Sequence, residues 1–159
     1  MRLATLKIGN LETACLKTGG GFLPLAKLNA ELGTDWPTEM LELIASGRLD
    51  ELREWAGSEG AGAPDELAAE VIPFETAAFA PLYRRPRKIW GIGLNYREHA
   101  ADLDESAPTG EPASFMKPDT AIIGPGEEIL IPHQSEKTTA EAELGLVFGR
   151  KCKGVPRDR

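Results

Sequence analysis

The sequence predicts an α+β fold in two parts, and three observations predict it. Short runs with partial alternation open the chain at residues 2–8 and 11–17. Apolar residues then recur at helical spacing between residues 26 and 56. After Arg84 the pattern changes to a succession of short apolar runs separated by Gly and Pro turns. We therefore divide the chain into a small N-terminal α+β domain, residues 1–80, and a second, strand-rich region, residues 81–159.

RLATLKI and LETACLK, joined by Gly9-Asn10, read as a β-hairpin. Thr18-Gly19-Gly20-Gly21 is a turn, with no following Lys-Ser or Lys-Thr to make a phosphate loop. Phe22, Leu23 and Leu25 continue the apolar pattern, and a helix is expected over 26–32, ended by Gly33. Asp35-Trp36-Pro37 is expected to start a second helix, with Pro37 in its first turn and an apolar face of Met40, Leu41, Leu43 and Ile44. A third helix is expected over 49–56, on the spacing of Leu49, Leu52 and Trp55. GSEGAGAP, residues 57–64, has the composition of a linker, and a helical turn is expected at 65–70.

In the second region, residues 88–93 read as a buried strand that exits into a loop. Residues 95–104 are expected to form a short helix or turn, and 105–112 a loop rich in Pro, Gly and acidic residues. Further strands are expected at 114–117, 121–123 and 128–132, with a turn at Gly124-Pro125-Gly126. Residues 141–148 carry the clearest strand pattern in the chain.

Composition narrows the function. The formal net charge is -7, and no dense run of Lys and Arg is present, so a nucleic-acid binder is not expected. No apolar run approaches the ~20 residues that span a bilayer. Cys15 and Cys152 are the only cysteines and have no metal-ligand spacing, which fits a reducing, cytoplasmic setting.

Three groups could carry chemistry. Glu141 and Glu143, two apart on a strand, would share a face, with Ala142, Leu144, Leu146 and Phe148 on the other. A hard cation such as Mg²⁺ or Mn²⁺ would relieve their repulsion, while an acidic strand facing solvent is the more ordinary reading of the spacing alone. His99 and Asp102, three apart, would share a helical face as a water-activating base and its orienting carboxylate, or as a local surface contact. Lys117 ends a strand before Pro118, where an ammonium could meet a substrate carboxylate or an enolate oxygen, or simply terminate the strand. Gly91-Ile92-Gly93 is not a dinucleotide fingerprint, because Tyr96 stands where the third glycine would be.

KIWGIGLNYREHAAD, PASFMKPDTAIIGPGEEILIP and AEAELGLVFGR, in that order, resemble the successive blocks of the fumarylacetoacetate hydrolase family over about residues 86–155. The resemblance implies a mixed β-roll, dimeric when full length, and a Mg²⁺- or Mn²⁺-dependent enzyme acting on a 2-oxo acid or 1,3-dicarbonyl compound. Activities in the family include C–C hydrolysis of acylpyruvates, decarboxylation, isomerisation and dehydration. By the match, Glu141 and Glu143 would be metal ligands, His99 the base and Lys117 a substrate contact. Asp102 stands where hydrolytic members typically have Glu; it is one methylene shorter, and a displacement of about 1 Å is costly to a catalytic contact. The family's third metal ligand, an Asp, would fall beyond Arg159. The expectation is therefore a truncated catalytic domain, with unpaired strand edges and exposed apolar faces around Glu141. The alternatives are an isomerase, decarboxylase or dehydratase of the same family, or a non-catalytic binding module that keeps the fold.

Overall fold

The structure, a computed structural model, describes residues 1–58, 64–94, 96 and 110–158. Contacts divide it into two compact units, Met1–Tyr83 with Ile123–Arg159, and Arg84–Ile122.

The first unit is built on a four-stranded antiparallel sheet in the order β1-β2-β3-β4. Strands β1 (Leu3–Ile8) and β2 (Leu11–Lys17) form the expected hairpin, with Ile8 opposite Leu11 and Gly9 at φ 59 in the two-residue turn. Strand β3 (Gly21–Pro24) pairs with β2 and with the short β4 (Ile72–Pro73). At Gly21 a Cβ would lie 2.0 Å from the Ile72 carbonyl oxygen, so only glycine lets these strands approach. The outer edge of β1 is covered by residues 78–82: Lys7 N–H donates to Ala78 O, Ala80 N–H to Thr5 O, and the Thr5 hydroxyl to Leu82 O at 2.6 Å.

Alternation gives the sheet two apolar faces. Ala14, Leu16 and Leu23 face the helices and meet Leu25, Leu28, Met40, Leu43 and Leu52 in the main core. Leu6, Cys15 and Phe22 form a smaller cluster on the other face. Helix α1 (Leu25–Leu32) ends at Gly33, which is left-handed at φ 65. Helix α2 (Met40–Ala45) begins later than the sequence suggests. Asn29 reaches along the chain to donate to Trp36 O and accept from Trp36 N–H and the Thr34 hydroxyl, so residues 34–36 are tied off as a loop. Glu39 then caps the helix by accepting from Glu42 N–H at 2.7 Å. Helix α3 (Leu49–Ser58) follows, with Leu52 fully buried, and a 3-10 helix covers Asp65–Glu70. Arg48 bridges Asp35 and Glu51, and its guanidinium holds both carboxyls below their usual range.

The second unit contains a two-stranded antiparallel sheet of β5 (Ile89–Gly93) and β6 (Ala113–Lys117). The expected strand at 88–93 is present but not buried. Its residues alternate between half-buried and exposed, and Trp90 is 58% exposed. The strand expected at 121–123 is replaced by a 3-10 helix, Asp119–Ala121, whose turn closes with Ile122 N–H on Asp119 O.

Two further strand expectations are corrected within the first unit. Residues 128–132 and 141–148 form no strand. A strand needs a partner ladder for its backbone groups, and among the described residues none is paired with either segment. The turn before them is formed as expected, with Glu127 N–H donating to Gly124 O and Gly126 at φ 78. It is fixed by Glu127, which accepts from Gly124 N–H and ion-pairs with Lys7 at 3.0 Å.

Candidate functional site

Lys117 is the best-defined of the expected site residues. It closes β6 opposite Ile89, immediately before Pro118, whose lack of an N–H helps end the strand. Residues two apart share a strand face, so Lys117 lies beside Phe115, and its ammonium stands 5.9 Å from the centre of the Phe115 ring. Phe115 in turn faces Gly91 across the sheet. A Cβ on Gly91 would lie 2.3 Å from the tip of that ring, so the aromatic ring occupies the space the glycine leaves bare. The sequence reading did not connect these residues. The signal was available in the register of GIG against SFMK, once the two runs are taken as antiparallel partners.

Leu94 follows β5 with φ 56 and is the only non-glycine residue with positive φ among those described. A bulky residue in this region is uncommon, and here it turns the chain out of the strand. His99 and Asp102 lie outside the described residues, as does most of the 105–112 loop.

Glu141 and Glu143 lie in the first unit on an exposed segment without regular structure. The apolar side chains that alternate with them are also exposed: Leu144 is 78% accessible, Leu146 79% and Phe148 76%. Carboxylate oxygens are the donors a hard divalent ion takes, so the pair fits such an ion by chemistry. In number the pair is incomplete, since among the described residues no three of His, Cys, Asp and Glu gather as a metal cluster. Among the described residues no helix is long and apolar enough to cross a membrane.

Comparison with known proteins places these residues in context. The family described as fumarylacetoacetate (FAA) hydrolase C-terminal matches residues 88–159. A protein of Pyrococcus horikoshii is 36% identical over 95 residues, covering 60% of this chain and 40% of its own length. A provisionally named hydrolase of Burkholderia cenocepacia is 49% identical over 72 residues, 45% of this chain and 25% of that protein. Among solved structures, that of a provisionally named HpcE protein from Mycobacterium smegmatis superposes with TM-score 0.60 at 26% identity, over 84% of this chain and 41% of that one. The overlap with that mixed α and β structure extends beyond the family-matched residues. The chain thus spans two fifths or less of the length of these two relatives. Residues 88–159, which carry the GIGLNYREH, FMKP and EAELG runs, match the fumarylacetoacetate hydrolase family.

Proposed function

We propose that the protein is a divalent-metal-dependent hydrolase that cleaves a C–C bond in a 2-oxo acid or 1,3-dicarbonyl substrate of the acylpyruvate type. The observation that carries this reading is the order of the chemistry-bearing blocks in one family-matched segment: His99 and Asp102, then Lys117, then Glu141 and Glu143. The hydrolase name of the Burkholderia relative supports the same class. The full reading includes a mixed β-roll and a homodimer.

Glu141 and Glu143 would hold Mg²⁺ or Mn²⁺, which when bound supplies positive charge against the 2-oxo acid end of the substrate and the charge that develops there. An imidazole nitrogen of His99, oriented by Asp102, takes a proton from water. The water oxygen bonds to the distal carbonyl carbon. The C–C bond to the pyruvate-like portion then breaks, and its electron pair passes into an enolate. Lys117 donates a hydrogen bond to that developing negative oxygen. The proton taken up by His99 then passes to the enolate carbon, giving a carboxylic acid and a 2-oxo acid as products.

The test is turnover by the protein expressed from its complete coding sequence. Loss of an acylpyruvate's enol absorbance with Mg²⁺, abolished by EDTA and restored by added Mg²⁺, is the expected result. No acylpyruvate turnover with either Mg²⁺ or Mn²⁺ overturns the proposal. Asp102, one methylene shorter than the Glu typical of hydrolytic members, favours a second reading within the same family, a decarboxylase. Oxaloacetate in a parallel assay separates the two by release of CO₂.

A further inference from the structure

We infer that Phe115, seated on Gly91 across the β5–β6 sheet, is a positioning residue that holds the Lys117 ammonium in place at the end of β6. The inference rests on the reading of Lys117 as a substrate contact. Three observations meet at this point. The register sets Gly91 directly opposite Phe115, and Ile89 opposite Lys117. The ring tip fills the position where any other residue at 91 would place its Cβ, at 2.3 to 2.8 Å, so the glycine fixes where the ring can lie. The Lys117 ammonium then stands 5.9 Å from the ring centre, within the range at which a ring face attracts a cation.

A lysine needs such a device. Its four-carbon stem has many rotamers, and an exposed ammonium has no intrinsic reason to keep one of them. The partner across the strand from Lys117 is Ile89, which offers no charge or acceptor. Phe115 therefore supplies an electrostatic face on the one side where the strand geometry places a neighbour. The neighbouring cross-strand pair of Trp90 and Met116 lies on the opposite face of the sheet and cannot substitute.

The experiment perturbs the ring from two sides. Phe115→Leu removes the ring but keeps an apolar cover over Gly91. Gly91→Ala leaves Phe115 and Lys117 unchanged and pushes the ring off its seat, a displacement that a side-chain tip can make without unfolding the sheet. Phe115→Tyr is the conservative control. The first readout is the NMR position of the Lys117 ε-methylene protons, assigned by their loss in Lys117→Arg. We expect an upfield ring-current shift in the native protein and in Phe115→Tyr, and its loss in Phe115→Leu and Gly91→Ala. Unshifted protons in the native protein, or a shift that survives Phe115→Leu, overturn the inference.

The second readout is kcat/KM in the proposed reaction. Phe115→Leu and Gly91→Ala should each lose roughly two- to five-fold, the scale of an exposed cation–π contact. That loss should vanish when either change is made in a Lys117→Ala background. A loss that persists without Lys117 shows the ring acting by another route and overturns the inference. If Lys117→Ala keeps full turnover, the reading of Lys117 as a substrate contact falls instead, and the NMR shift alone decides whether the ring holds the ammonium.

Discussion

Alkaline pH should destabilise the N-terminal sheet through a single thiol. Cys15 lies on the smaller apolar face of β2, is fully buried, and contacts Leu6 and Phe22. Burial pushes its pKa from 9.0 up to about 12, against a weaker downward pull from the Leu6 backbone. In the unfolded chain the thiol ionises near its ordinary value. Below pH 9 the thiol is neutral in both states, and stability is unaffected. Between pH 9 and 12 the unfolded chain becomes a thiolate while the folded chain does not, so stability falls with rising pH. At about 1.4 kcal/mol per pH unit the loss reaches about 4 kcal/mol by pH 12, a large part of a domain's usual 5–15 kcal/mol. The comparison that isolates this thiol is with Cys15→Ala. That variant loses buried packing and should be less stable by about 1 kcal/mol at pH 7. It lacks the thiol, so its stability should fall less steeply, and the two urea-unfolding curves should cross near pH 10. Parallel curves from pH 8 to 11 would refute the reasoning. A thiol reagent at pH 8 should modify Cys152, which is exposed, long before Cys15.

Gly21→Ala should cost about 3 kcal/mol, because its Cβ would meet backbone at the β3–β4 contact and neither strand can give way; an unchanged urea midpoint would contradict this. Asn29→Ala removes three hydrogen bonds that hold the Thr34–Trp36 loop and should cost about 2 kcal/mol, with Asn29→Asp in between because it keeps the acceptor and loses the donor to Trp36 O; both are read from denaturant midpoints. Amide exchange should be slow across residues 11–17, which lie between two strands, and fast across 141–148; protection of the latter segment would show a ladder the structure lacks. In the complete protein, Glu141→Ala should lower Mg²⁺-dependent turnover by at least 100-fold, the scale on which loss of a charge-stabilising contact is felt, and full turnover would remove Glu141 from the metal site.

What could be read from the sequence was what is local. The β1–β2 hairpin needs only alternation and a two-residue turn, and α1 needs only apolar spacing and Gly33, so both lie within a few residues of their causes. The start of α2 was missed because its cause is remote: the Asn29 side chain captures the backbone of Trp36, and a Glu, not one of the favoured short capping residues, supplies the cap. The Phe115–Gly91 contact was missed for the same reason, since cross-strand register is a property of two segments. Lys117 could be singled out from its motif alone, whereas the ring beside it needed the pairing of GIG with SFMK.

Lys117 and the pair Glu141 and Glu143 therefore differ in what holds them. Lys117 is placed by pairing that is complete between β5 and β6, with a glycine and an aromatic ring fixing its surroundings. Glu141 and Glu143 carry the alternation of a half-buried strand, yet the face that alternation would bury is open to solvent at Leu144, Leu146 and Phe148. Exposed apolar side chains in that register are unfavourable in water, so the segment gains stability from a strand that covers them. Pairing would also set the two carboxylates on one face, and a cation bound between them would favour the paired state in return. On the proposed reading, ordering of this strand and formation of the metal site are one event, whereas the Lys117 arm stands ready before either.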